Sequence, residues 1–297
     1  MQFLTNAKFD FMSQRRIAMV LSMTVILVGL GSLVIKGGPK YSIDFTGGTL
    51  LQLRFPEEVS ADQLRTELAR VGLGQAEIVR FGAPDEMLVR IQQMTTVAAD
   101  SVAKDALRER WPDLELRREE TVGPKIGGEL RGAAGQAILL ALALILIYIT
   151  IRFEFRFAVA AIVALVHDVV ITLGVFSLAN HEISLAVIAA FLTIVGYSLN
   201  DTIVVFDRVR ENLRIPTGGR VYAEILNQSI NQSLSRTIIT SGTTILVVVA
   251  LLVLGGEVLR DFSFALTVGV LVGTYSSIYV ATPILAEWEQ RSPRKRK

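Results

Sequence analysis

The chain has 297 residues, 51% of them hydrophobic and 20% charged, with a formal net charge of +2. Its charge is gathered into a few segments and nearly missing from others. That distribution excludes an ordinary soluble domain and points to a polytopic membrane protein. Cysteine is absent, so an outward-facing domain would have to hold by its own core.

Six runs are apolar over the roughly 20 residues that a bilayer crossing needs. They are 17–35, 133–151, 157–179, 183–206, 237–254 and 262–286. The first follows Arg15 and Arg16, as a signal peptide would. It is longer than an h-region, and "LVIKGGPK" offers no cleavage site, so it reads as an uncleaved helix.

Residues 37–132 are polar enough to fold in water. "TLLQLRF" alternates Leu51, Leu53 and Phe55 with Gln52 and Arg54, the pattern of a half-buried strand. "SADQLRTELARVG" opens with Ser60 and Gln63 at capping-box spacing and carries Leu64, Leu68 and Val71 along one helical face. "AEIVRFG" and "EMLVRIQ" flank Ala83, Pro84 and Asp85 as a hairpin. "VAADSVAKDALRERW" reads as a second helix and "LELRREETV" as a last strand. The order β-α-β-β-α-β predicts a ferredoxin-like α+β domain. Neither "TGG" nor "GPKIGGELRG" places a lysine as a P-loop does. Gly47 and Gly48 read instead as a tight turn or a close backbone approach. No nucleotide, metal or hydrolytic chemistry is expected.

Within the third run lie His167 and Asp168, with Thr172 one turn on. Two readings stand for Asp168: part of a proton path, or a structural bond to a neighbouring helix. His181 falls in the short loop "NHE" and reads as solvated. The fourth run holds Asp201 beside Asn200, with Gly196 and Thr193 one and two turns back. A carboxylate in the bilayer core costs on the order of 3 kcal/mol on insertion scales. Burial and a nearby cation act on it in opposite senses, so a group balanced between them can take up and release a proton. Asp201 stands five residues from the end of its run, roughly 7.5 Å at about 1.5 Å per residue.

Arg236 opens the fifth run from the same side and is the candidate partner cation. Thr240, Thr243 and Thr244 follow it as a polar stripe, and Gly269, Gly273 and Ser277 mark a close helix approach in the sixth run. The plain alternative is that Asp201 and Arg236 form a permanent structural pair. Asp207, Arg208, Arg210 and Glu211 read as an interfacial face or coupling loop.

Orientation follows from the positive-inside rule. Arg15, Arg16, Arg152, Arg156, Arg208, Arg210, Arg214, Arg220, Arg236 and the tail "RSPRKRK" share one side; the opposite short loops, "NHE" and "GGEVLRD", hold only Arg260. Both termini are therefore expected in the cytoplasm, and the basic tail needs no nucleic acid to explain it. The expected organisation is a cytoplasmic N-terminus and first span (1–36), an outward α+β domain (37–132), helices two to six with a cytoplasmic loop at 207–236 (133–286), and a basic tail (287–297).

"SIDFTGGTLLQL", "VHD", "GYSLNDTIVVFDRVREN" and "SLSRTIITSGTT" together resemble the SecF family, in the RND superfamily. The resemblance covers nearly the whole chain and departs at Ser42, where the family commonly has glycine. Within its motif stand Asp44, Phe45, Gly47 and Gly48. The likeness implies a subunit of the bacterial inner membrane, paired with SecD beside the SecYEG channel. Such a subunit uses the proton-motive force to help draw preproteins outward after SecA has pushed them. It implies Asp201 as the proton-responsive carboxylate and Arg236 as its basic partner. A proton-coupled RND exporter of lipid or small molecules, and a passive assembly subunit, remain the alternatives.

Overall fold

The computed structural model describes residues 8–91, 99–215 and 221–292. Arg220 and residues 293–297 of the basic tail lie outside them. The chain divides into two compact units: Tyr41–Ala137 with Glu182–Leu185, and Met1–Lys40, Ile138–His181 with Ala186–Lys297.

The smaller unit opens with α2 (Ile43–Thr46), a single turn capped by the Ser42 hydroxyl, which accepts from the Asp44 N–H at 3.3 Å. Then come β1 (Gly48–Arg54), α3 (Ala61–Arg70), β2 (Glu77–Arg80), β3 (Glu86–Ile91), α4 (Ala99–Arg110) and β4 (Glu115–Val122). The sheet order is β2-β3-β1-β4 and every neighbouring pair is antiparallel, the ferredoxin-like arrangement expected of the element order. Alternation along β1 sends Leu51 and Leu53 into the core with Leu64 and Leu68 of α3 and Leu107 of α4. Phe55 meets Trp111 edge to face, with ring centroids 5.2 Å apart. The Ser60–Gln63 capping box forms as the spacing predicts.

Six helical segments are long and apolar enough to cross a membrane: α1 (Arg15–Ile35), α5 (Pro124–Arg152), α6 (Phe155–Ala179), α7 (Leu185–Arg214), α8 (Tyr222–Leu254) and the stretch Leu259–Arg291. That last stretch runs from the first turn of α9 (Gly256–Ser276) through a π-helical turn (Ser277–Ala281) and α10 (Thr282–Arg291). Pro283 accounts for the wide turn, since it has no N–H to donate and its ring would clash with the carbonyl four residues back. Thr282 Oγ1 donates to the Ser277 carbonyl across the turn at 2.8 Å.

Two expectations change here. Most of the segment read as a cytoplasmic loop at 207–236 is helix, formed by the ends of α7 and α8. Leu226, Ile230 and Leu234 recur at helical spacing and are buried in the same core as Val205 and Val209. Asn212 donates to Ser229 Oγ and to Gln232 Oε1, each at 2.9 Å, which satisfies polar groups that hydropathy alone assigns to solvent. The second correction concerns "GGEVLRD", which is no open loop: α9 begins at Gly256, where φ is +69°.

Close approach of α1 to α6 rests on two glycines far apart in sequence. A Cβ on Gly174 would lie 2.7 Å from Gly29 Cα, nearer than packed atoms come. By contrast, a Cβ on Gly196 meets nothing within 4 Å, so among the described residues no helix packs against Gly196. Gly174→Leu should therefore cost about 1–3 kcal/mol through overpacking, whereas Gly196→Ala should be neutral or slightly stabilising. Thermal unfolding in detergent of the two variants against wild type checks the contrast.

Candidate functional site: two carboxylates inside the helix bundle

Asp168 and Asp201 are the acids placed deepest among the helices, 1% and 2% exposed. They are met in different ways. Asp168 Oδ2 accepts the hydroxyls of Ser198 on α7 (2.5 Å) and Ser276 on α9 (2.7 Å), while Oδ1 faces His167 Nδ1 at 2.8 Å. One carboxylate thus joins α6, α7 and α9. Among the described residues Asp201 has one hydrogen-bond partner, the hydroxyl of Ser241 on α8, at 3.1 Å. Ser241 in turn accepts from Thr274 of α9 at 2.7 Å.

Glycine sets these distances. A Cβ on Gly273 would fall 2.9 Å from Ser198 Cβ, and one on Gly269 would overlap Ile194. With no side chain at either position, α7 and α9 come close enough for Ser198 and Ser276 to reach the same oxygen.

The expected ion pair between Asp201 and Arg236 is not formed among the described residues. Arg236 is exposed and lines a cavity of about 330 Å³ with Asn200, Asp207, Glu211 and Gln232. The physical reason is solvation: a guanidinium beside polar and acidic groups in an open cavity keeps its water, and moving it against Asp201 would strip that water away. Asn200 faces the same cavity and does not touch Asp201's carboxyl. Thr243 and Thr244 turn their hydroxyls back to the Thr240 carbonyl, so the threonine stripe bonds its own helix and does not bridge to another. The residue that does bridge is Ser241, beside Thr240. Nothing in the spacing separates it from its neighbours, because every residue of that stretch is small and polar.

His181 was expected to be solvated. Its Nδ1 instead meets Asp261 at 2.6 Å, and its ring lies 4.4 Å from that of Phe264. The loop is short enough to lay the imidazole on the start of α9. Asp207 pairs with Arg152 at 3.2 Å, and Arg208 with Glu211 at 2.8 Å, on the final turns of α7.

In the smaller unit, Asp44 Oδ2 accepts the N–H of Leu185 at 2.9 Å, and Phe45 is buried. Gly47 has φ +73°, and a Cβ there would lie 2.9 Å from Pro124 Cα. The motif's glycine therefore serves both a left-handed backbone and a close approach.

Two family models match the chain: "Protein export membrane protein SecD/SecF, C-terminal" over residues 102–291 and "SecD/SecF GG Motif" over residues 31–55. The second brackets the Asp44–Gly48 turn, and the first brackets both carboxylates. A protein translocase subunit SecF from Desulfurispirillum indicum is 49% identical over 95% of this chain and 92% of its own. The chain belongs to the SecF family of protein translocase subunits. A second SecF, from Vibrio alginolyticus, is 45% identical over 92% of this chain and 88% of its own. The crystal structure of SecDF from Thermus thermophilus, described as a translocon-associated membrane protein, fits with a TM-score of 0.88 at 43% identity. A SecDF in a super-membrane-facing form fits with a TM-score of 0.73 at the same identity. This chain spans 97% of itself against both but only 40% of those longer chains. Family and helices together make it a multi-pass membrane protein.

The two acids should respond unequally to the same neutral exchange. Asp168→Asn disturbs the contacts of one buried carboxyl with Ser198, Ser276 and His167 and should destabilise by about 1–3 kcal/mol. Asp201→Asn keeps a carbonyl for Ser241 and should cost less, about 1 kcal/mol or under. Paired thermal melts of the purified variants check this; equal losses would mean that the partners seen here do not govern either group.

Proposed function

We propose that this SecF-family subunit couples proton movement to preprotein export, with Asp201 as the group that takes and releases the proton. The observation that carries this reading is the contrast in partners. An ionised carboxylate offers about four lone-pair sites and seeks several donors. Asp201, shut away from water, has one hydroxyl, which suits a carboxyl holding its proton. Arg236 stands uncommitted in a neighbouring cavity. Loss of the proton would leave an unpaired buried charge, and the closest remedy is for Arg236 to swing inward. Moving it draws on α8, where Arg236 and Ser241 both sit, so the proton and the packing of α7 on α8 become linked.

The magnitudes agree. One charge crossing about 100 mV is worth roughly 2.3 kcal/mol, comparable to one or two charge-assisted hydrogen bonds. That is sufficient to bias a bistable packing and far too little to unfold a domain. The longer SecDF chains have been solved in more than one form, and this fold fits two of them unequally, which is what a family built around a movable packing would give.

The 40% coverage of SecDF supports a SecD-type chain as the partner that completes the assembly. The proposal extends to action beside SecYEG, after SecA, on a translocating preprotein in the bacterial inner membrane, with surrounding lipid. The arginine distribution supports cytoplasmic termini. No nucleotide, metal or hydrolytic step is needed, since the proton gradient supplies the work. An RND-type exporter and a passive subunit are the competing readings; the sheet domain's core residues fill its interior, which disfavours a small-molecule pocket there.

Membrane vesicles carrying this chain with SecD and SecYEG test the reading. Asp201→Asn should reduce proton-driven export about 10-fold or more while leaving the ATP-driven stage in place, and Arg236→Met should do likewise. Unaltered export in Asp201→Asn would eliminate Asp201 as the coupling group.

A further inference from the structure

Near Asp168 runs a hydrogen-bonded chain that the coupling of Asp201 does not use. His167 Nε2 lies 3.0 Å from Ser22 Oγ on α1, and Ser22 Oγ lies 3.0 Å from the Tyr275 hydroxyl on α9. Tyr275 donates onward to the Ala18 carbonyl at 2.7 Å. The sequence Ser22–His167–Asp168 is that of a hydrolase triad, but the N–H groups around Ser22 belong to the interior of α1, so no oxyanion site accompanies it. Its chemistry is proton transfer.

Consider the two protonation states of the ring. Two hydroxyls donate to Asp168, and a carboxylate there takes Nδ1–H from His167. In the neutral ring Nε2 is then an acceptor, and the Ser22 hydroxyl donates to it. In the charged ring Nε2–H donates to Ser22 Oγ, and the serine proton rotates to the Tyr275 oxygen. Tyr275 then donates to Ala18, so it can accept. With the Tyr275 hydroxyl turned to Ser22 Oγ in the neutral state and to the Ala18 carbonyl in the charged one, both states satisfy every group with no heavy atom moved. The Tyr275 ring stacks on the imidazole at 6.2 Å and 21°, which adds a face that favours a cation.

An entry exists. Ser22 and His167 line a cleft of about 610 Å³ whose far end carries Glu287 and Arg291 of α10. The titratable groups turned toward His167 are Asp168 on its own helix, Tyr275 on α9, Tyr279 in the π-helical turn, and Glu287 and Arg291 along the cleft; α1 contributes Ser22 there and Arg15, which pairs with Glu287 at 3.4 Å, and α7 reaches Asp168 through Ser198. We propose that His167 is a second proton-binding site of this chain, loaded from the side of the bundle through that cleft and independent of Asp201. A hydronium in the cleft gives its proton to Ser22 Oγ, whose own proton passes to Nε2. Water departs, the serine remains a hydroxyl, and the imidazole becomes imidazolium. The His167–Asp168 cluster then goes from one negative charge to none, which loosens the hold of Asp168 on Ser198 and Ser276.

This chain has two histidines, so the site can be read directly. The full chain, labelled with 15N-histidine and placed in phospholipid vesicles, is followed by NMR from about pH 9 to about pH 5. His181→Gln assigns the two signals. The expected result is a neutral ring with the proton on Nδ1 at high pH and a doubly protonated ring at low pH. Ser22→Ala removes the acceptor of the charged form and should cut the protonated fraction at a given pH about 10-fold. A ring that stays neutral to about pH 5, or carries its high-pH proton on Nε2, or ignores Ser22→Ala, overturns the proposal. So does loss of the titration in Asp201→Asn, whereas export that ignores Asp201→Asn leaves the His167 signal as it was.

Discussion

The hydrogen bonds from Ser198 and Ser276 to one oxygen of Asp168 set the terms for the rest of the bundle. A buried carboxylate is costly unless several donors meet it, and hydrogen bonds to a charge contribute about 1.5–3 kcal/mol each. Those donors come from two other helices, so α6, α7 and α9 are joined at a single carboxyl group. Gly269 and Gly273 are the steric condition of that arrangement, since a methyl group at either would push α7 away from α9. The polar tie and the small residues are one device.

The second acid is arranged around the opposite side of the same helix. Successive residues of an α-helix turn by about 100°, so Thr274 and Ser276 point roughly 200° apart. Ser276 faces Asp168, and Thr274 faces Ser241 and, through it, Asp201. Ser198 and Asp201 stand three residues apart on α7 and divide between the same two clusters. A small rotation of α9 against α7 would therefore stretch one cluster while shortening the other. The π-helical turn starting at Ser277 follows directly, and such turns recur where a helix must change its phase.

How much of this was legible depended on distance along the chain. The sheet domain was readable because alternation in Leu51, Leu53 and Phe55, and the Ser60–Gln63 box, are local signals that one face of one element can satisfy. Asp201 was readable because a carboxylate in an apolar run is conspicuous. Its hydrogen-bond donor was not legible, since charge complementarity points to Arg236 and says nothing of the neutral hydroxyl of Ser241. Ser22 and His167 are 145 residues apart, as are Gly29 and Gly174. A serine or glycine in an apolar helix says nothing about which other helix it will meet. The lengths of α7 and α8 were missed because hydropathy reports the membrane boundary and helical periodicity reports the helix, and the two end at different residues.

That difference in length bears on the proposed coupling. Arg236 lies at the level where α8 leaves its apolar stretch, with polar helix on one side and Ser241 one and a half turns away on the other. A guanidinium there keeps its hydration while it waits, and it carries its charge on a stem long enough to extend along apolar surface. An arginine fully inside the bundle would hold Asp201 ionised permanently, and one fully in the cytoplasm would never reach it. On the proposed reading, the intermediate position keeps the desolvation cost of pairing near the few kcal/mol that one proton can supply, and that match is what makes a buried acid with a single hydroxyl partner useful.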